Sequence, residues 1–254
     1  MSTEPNHFIL VLTDDGSFTL VHPRFGVTYS SRHGALLQAT ELYLKLTGTH
    51  QHTSPRVLEV GFGLGVNFRV TLQDAINRGV KLAYLSYESF SVSRKVLESV
   101  PVALSPRAEA VWQALLEAWP DQQPAELDQQ PAERLQQPVE ATNPRSAPIT
   151  VEGEWGSLEI RLEDVTRARF PGGWATAIYL DPFDADVNPE PWSPRVLQKL
   201  YAAAQPNACL ATYSVAGPLR RGLEEAGFSV QKVDLREYLP QAKKRFWLRA
   251  LVLS

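Results

Sequence analysis

The sequence predicts an α/β fold built on a doubly wound, mostly parallel sheet, and three observations carry that expectation. The stretch Val57-Leu58-Glu59-Val60-Gly61-Phe62-Gly63-Leu64-Gly65-Val66-Asn67-Phe68 reads as a buried strand, a glycine turn and a helix start. The apolar run ending at Val60 marks the strand, and the spacing Val66, Val70, Leu72, Ile76 marks the helix. Beyond it, short apolar runs alternate with helical patterns, as βαβ units do. The last two runs have no helix between them and read as an antiparallel pair at one edge.

The elements follow in order. Residues 8–20 read as a hairpin, because two apolar runs flank Asp14-Asp15-Gly16-Ser17, a strong turn signal. A helix follows, with Leu36, Leu37, Ala39, Thr40, Tyr43, Leu44 and Leu46 on its apolar face. Seven strands are expected in the core, at 56–60, 82–87, 158–162, 175–180, 208–213, 229–235 and 245–253. Helices are expected at 66–78, 91–98, 106–118, 194–204 and 217–226. Residues 1–50 therefore form a hairpin-and-helix extension packed on a core domain of residues 51–254. Residues 121–148 repeat Gln-Gln-Pro and Pro-Ala-Glu with few apolar side chains, and read as a flexible surface insertion or a proline-rich ligand for a partner module.

Composition removes several classes of function. The 254 residues, 44% hydrophobic and 21% charged, suit a soluble globular protein of one large or two small domains. No apolar run reaches the roughly 18 residues of a membrane span, and the N-terminus lacks the pattern of a signal peptide, so a cytoplasmic location is expected. The single cysteine, Cys209, excludes an internal disulfide, a cysteine-ligated zinc site and an iron–sulfur cluster. The 5 histidines are scattered, so no metal is expected. With a net charge of −3, any nucleic-acid surface must be local.

The glycine turn narrows the ligand. Its spacing is Glu-x-Gly-x-Gly-x-Gly, not the dinucleotide Gly-x-Gly-x-x-Gly, and no Gly-Lys-Ser/Thr follows as a P-loop needs. An acid before the first glycine, Glu59, would repel a pyrophosphate and suits a positively charged ligand such as S-adenosylmethionine (SAM). The stretch resembles motif I of the class I SAM-dependent methyltransferases, which implies a Rossmann-like fold with Glu59, Gly61, Gly63 and Gly65 at the cofactor. Glu88 stands at the second strand end, where an acid can take both ribose hydroxyls; the alternative is an exposed helix cap. Asp164, with Glu163 competing, could accept from the adenine amino group, or serve as a helix N-cap.

Tyr179-Leu180-Asp181-Pro182-Phe183 follows the fourth strand, whose end faces the methyl group and acceptor in this architecture. Asp181 is the first catalytic candidate, with Phe183 and Trp192 as walls of a base-sized pocket. Asp-Pro-Phe-Asp loosely matches the loop of exocyclic-amine methyltransferases and suggests an amine acceptor. Pyrimidine carbon methylation generally requires a cysteine nucleophile, and Cys209 sits in an apolar strand run as an inert core thiol. Arg220 and Arg221, and Lys243, Lys244 and Arg245, supply local basic character for phosphate contacts.

Together these motifs resemble the methyltransferase domain of the MnmC family of tRNA wobble-uridine enzymes, in a form lacking the FAD oxidase domain. The matching strings are residues 29–35, 59–68, 86–90, 180–183, 188–192 and 216–228. The resemblance implies methyl transfer from SAM to the exocyclic amine of 5-aminomethyl-(2-thio)uridine in the anticodon region of tRNA. It adds Asn67 and Asp181 to the cofactor residues and Tyr29 and Asn188 to those facing the substrate. Two other readings compete: methylation of a small-molecule amine, and a non-catalytic SAM- or RNA-binding protein.

Overall fold

The computed structural model describes residues 9–120, 147–237 and 246–253. The expected insertion lies outside the described residues except for its last two, and Lys243, Lys244 and Arg245 lie outside them as well. The hairpin is present as β1 (Ile9–Leu12) and β2 (Phe18–Val21), an antiparallel pair forming its own two-stranded sheet. The helix expected next is a single α-turn, α1 (Ala35–Leu37), that continues as a π-helix over Gln38–Lys45. In a π-helix, hydrogen bonds run between residues five apart. This brings Gln38 and Tyr43, both buried, to one side of the segment, which packs on α2 (Val66–Arg78).

The core runs β3 (Arg56–Val60), α2, β4 (Leu82–Tyr87), α3 (Arg94–Ser99), α4 (Pro106–Ala118), β5 (Ile149–Gly153) and β6 (Gly156–Arg161). It continues with β7 (Ala175–Leu180), α5 (Pro194–Ala203), β8 (Ala204–Thr212), α6 (Gly217–Ala226), β9 (Ser229–Asp234) and β10 (Phe246–Leu251). The sheet order is β5-β6-β4-β3-β7-β8-β10-β9. Among the described residues the sheet therefore has eight strands where the sequence predicted seven. The added β5 pairs antiparallel with β6, its Ile149 and Val151 buried and its Thr150 and Glu152 exposed. The C-terminal β10 is antiparallel to both β8 and β9, as expected.

Period-two alternation separates two cores. Val57, Tyr84 and Tyr179 face α2, α4 and the π-helix; Leu58, Leu85 and Ile178 face α5 and α6. Helix α2 buries Phe68, Leu72 and Ala75, while Val70 and Ile76 of the expected face are only half-buried. Strand order reverses between β3 and β7, and in open α/β sheets that reversal opens a crevice at the carboxyl ends. Among the described residues no helix is long and apolar enough to cross a membrane.

Candidate active site

Three strand ends meet at the reversal. Gly61, Glu88 and Asp181 each follow the last residue of β3, β4 and β7. Each continues the ladder by one bond: Gly61 N to Tyr87 O at 2.9 Å, Glu88 N to Arg161 O at 3.0 Å and Asp181 N to Val60 O at 3.0 Å. Gly61 has φ +93°, and a Cβ there would lie 2.6 Å from Asp181 O. Only a residue without a side chain lets these two strand ends abut. The turn then brings the Gly63 N–H to Glu88 Oε2 at 2.8 Å, and Phe90 N donates to Oε1 at 2.6 Å. Glu88 is buried, which pushes its carboxyl pKa up, against the pull of these backbone donors.

Two cavities open here. The first is walled by Gly61, Gly63, Glu88, Val165, Asp181 and Phe183. The second is walled by Tyr29, His33, Gln38, Asp181, Phe183 and Trp247 among others. Tyr29, Ser30, Asp181, Pro182 and Phe183 belong to both walls. Phe183 stacks edge-on against Tyr29 with centroids 5.0 Å apart, and His22 and Phe25 of the N-terminal segment close around it at 4.9 and 5.0 Å.

Asp181 is half-buried between the cavities and held by side chains from distant segments. Its Oδ1 accepts from Tyr43 OH at 2.6 Å and Gln38 Nε2 at 3.3 Å; its Oδ2 accepts from Asn67 Nδ2 at 2.9 Å. Burial pushes its pKa up to about 7, with the Tyr43 and Asn67 hydrogen bonds pulling the other way. Asn67 Nδ2 also donates to Glu59 Oε1 at 3.0 Å, and Ser86 Oγ donates to Glu59 Oε2 at 2.8 Å. Glu59 is fully buried, and burial lifts it to about 8. At neutral pH it is therefore mostly protonated.

Comparison with known proteins points to a family. Residues 125–250 match the family model described as S-adenosyl-L-methionine-dependent methyltransferase. The chain is 32% identical, over 93% of its length, to the tRNA 5-methylaminomethyl-2-thiouridine biosynthesis bifunctional protein MnmC of Burkholderia multivorans. It is 33% identical over 83% of its length to MnmC of Cupriavidus necator. The chain belongs to the SAM-dependent methyltransferases. It spans about a third of the length of these curated relatives, 36% and 30%. Among solved structures, MNMC2 from Aquifex aeolicus shares the fold with a TM-score of 0.68, at 24% identity, over 97% of this chain and 71% of that one. The methyltransferase thus has the class I fold and uses SAM. Its strand-end crevice fits that cofactor: exposed backbone of the turn at Gly61 and Gly63, the buried carboxylate of Glu88 and an apolar wall at Val165.

The structure gathers Tyr29, Gly61, Gly63, Asn67, Glu88, Asp181, Phe183 and Asn188 at the first cavity. Other candidates lie elsewhere. Glu59 sits behind the turn, bonded to Asn67 and Ser86, and does not reach the cavity. Gly65 caps α2, and a Cβ there would meet Trp112 and Phe62 at 2.9 and 3.0 Å, so its lack of a side chain serves packing. The exposed Asp164 turns its carboxylate to Thr166 N and Oγ1, both at 2.8 Å; it caps a turn, and the neighbouring Val165 lines the wall. Trp192 donates from Nε1 to Phe183 O at 2.8 Å and stacks edge-on to Tyr213, bracing the loop from behind. Arg220 and Arg221 are exposed on α6, away from both cavity walls.

Sequence reasoning missed four residues that brace the candidate site. Gln38 and Tyr43 are 143 and 138 residues from Asp181 along the chain. His22 packs into the aromatic wall from the extension. Arg69 is buried over the Trp112 ring at 4.2 Å and donates to Leu64 O at 3.0 Å and Val100 O at 2.8 Å, fixing the glycine turn from beneath. Burial lowers its pKa to about 10, so it stays charged at neutral pH. A charged residue between Phe68 and Val70 was the available signal.

Proposed function

We propose that this methyltransferase transfers a methyl group from SAM to the exocyclic amine of 5-aminomethyl-(2-thio)uridine at the tRNA wobble position, in the cytoplasm. The observation that carries the reading is one carboxylate, Asp181, in the shared wall of two cavities. The relatives' biosynthetic product, 5-methylaminomethyl-2-thiouridine, is what such a transfer yields.

In this reading the first cavity takes SAM. Gly61 and Gly63 let the backbone approach it, and the Glu88 carboxylate, held by the Gly63 and Phe90 N–H groups, takes the ribose hydroxyls. When bound, SAM supplies a methyl group on a sulfonium. The second cavity takes the nucleoside, with Tyr29 and Phe183 against the uracil ring and Asn188 at the loop base. A primary alkylamine is mostly protonated at neutral pH and has no lone pair to offer. Asp181, titrating near 7, accepts one proton from it and orients the freed lone pair. Cys209 lines neither cavity and burial pushes its thiol up to about 12, which removes the nucleophile that carbon methylation would need. Arg220 and Arg221, with Lys243, Lys244 and Arg245, contact tRNA phosphates.

The test is mass spectrometry of wobble nucleosides from a strain lacking the gene. Accumulation of 5-aminomethyl-2-thiouridine, reversed by the wild-type gene, is the expected result. An unchanged nucleoside pool would reject tRNA as the substrate.

A further inference from the structure

We infer that Tyr43 and Gln38 are positioning residues: the π-helical segment of the N-terminal extension aims the Asp181 carboxylate at the acceptor cavity. The inference rests on the proposed role of Asp181. Three side chains, none cationic, fix its two oxygens. Tyr43 and Gln38 share Oδ1 and Asn67 holds Oδ2, so rotation about the carboxylate bond would break one set or the other.

Each donor is itself fixed. Gln38 Oε1 accepts from Ser31 N at 2.9 Å, which leaves its amide nitrogen toward Asp181. Tyr43 is fully buried, its OH also 3.5 Å from Leu180 O. Burial and the charge of Asp181 raise its phenol pKa well above normal, so it remains a donor at every working pH. Asn67 is set by Glu59. Gln38 and Tyr43 are five residues apart, which regular α-helical winding would not place on one face. The π-helix is what lets both reach one oxygen. Tyr43 lines neither cavity, so it acts through Asp181 and not on a ligand.

The sign of the effect follows. Hydrogen bonds to a carboxylate favour its charged form, so losing one raises the pKa. The other titratable groups facing Asp181 are Glu59 and Tyr84 from β3 and β4, and Tyr213 after β8, with Asp184 of its own loop acting on Tyr213; the Tyr43 variant leaves all of them in place.

The experiment is single-turnover methylation of tRNA carrying 5-aminomethyl-2-thiouridine, from pH 5 to 9. Tyr43→Phe should move the acid limb up by about one pH unit and slow turnover roughly tenfold on that limb. Calorimetry should show unchanged SAM affinity. Gln38→Leu should move the limb the same way by less, and decides the matter alone if Tyr43→Phe does not fold. A folded Tyr43→Phe with an unmoved limb overturns the inference, as does a loss of SAM affinity that accounts for the lost turnover. Asp181→Asn separates the two levels. If it is inactive while Tyr43→Phe is silent, only the positioning role fails; if it is fully active, the reading of Asp181 fails with it.

Discussion

Replacing Gly61 by alanine probes the junction on which the site depends. The new Cβ would lie 2.6 Å from Asp181 O, 3.0 Å from Asp181 C and 3.1 Å from Pro182 N. All three are backbone atoms, held by the bond from Asp181 N to Val60 O, so no flexible side chain can swing away. The left-handed φ of +93° adds about 1–2 kcal/mol, and forcing the strand ends apart adds about 1–3 kcal/mol. The sum, about 2–5 kcal/mol, corresponds to a fall in Tm of roughly 4–20 °C for a domain of this size. Gly79→Ala is the control. Its φ is +67°, but nothing lies within 4 Å of the added Cβ, so only the conformational cost of about 1–2 kcal/mol applies. Urea denaturation of both variants, with calorimetric SAM titration, separates the effects. Gly61→Ala should be the less stable and should also lose SAM affinity; Gly79→Ala should keep it. Equal stabilities with wild-type SAM binding in both would refute the abutting strand ends.

Three further outcomes are expected. Glu59 is protonated in the fold up to about pH 8 but ionises near 4.5 once unfolded, so the folded state binds the extra proton across that window. Stability should therefore fall with rising pH by about 1.4 kcal/mol per unit between those values, and urea denaturation should show Glu59→Gln flattening that slope. Arg69→Met leaves the Leu64 and Val100 carbonyls without their donor and should cost about 2–5 kcal/mol by denaturant unfolding, with weaker SAM binding in the same samples. Glu88→Gln should raise the SAM Kd by about ten- to a hundredfold in calorimetry while leaving Tm within a few degrees.

How far the sequence reached is clearest at particular residues. Glycine spacing and strand ends are local signals, so the placement of Gly61, Gly63, Glu88 and Asp181 at the strand-end crevice was legible without coordinates. Period-two alternation at Ile149 and Val151 was equally local, but the run is short, directly follows a low-complexity stretch and was assigned to no element, which cost the sheet its eighth strand. The partners of Asp181 could not be read: π spacing leaves no periodic mark distinct from α, and contacts across some 140 residues carry none. The directions of the Glu59 and Asp164 side chains were not decided by the sequence, for one shared reason. An acid beside a ligand loop can face the ligand or turn inward to satisfy neighbouring donors, and pattern alone does not say which. Here Glu59 turned to Asn67 and Ser86, and Asp164 to Thr166.

The most direct test follows a labelled methyl group. In a single turnover, wild-type protein with methyl-labelled SAM and tRNA bearing 5-aminomethyl-2-thiouridine should place the label on the wobble nucleoside as 5-methylaminomethyl-2-thiouridine. Asp181→Asn, assayed with saturating SAM so that any change in cofactor affinity is set aside, should lose most of that transfer, on the order of 10²-fold or more. Near-normal transfer by folded Asp181→Asn would contradict the account, because the wall common to both cavities would then carry no chemistry.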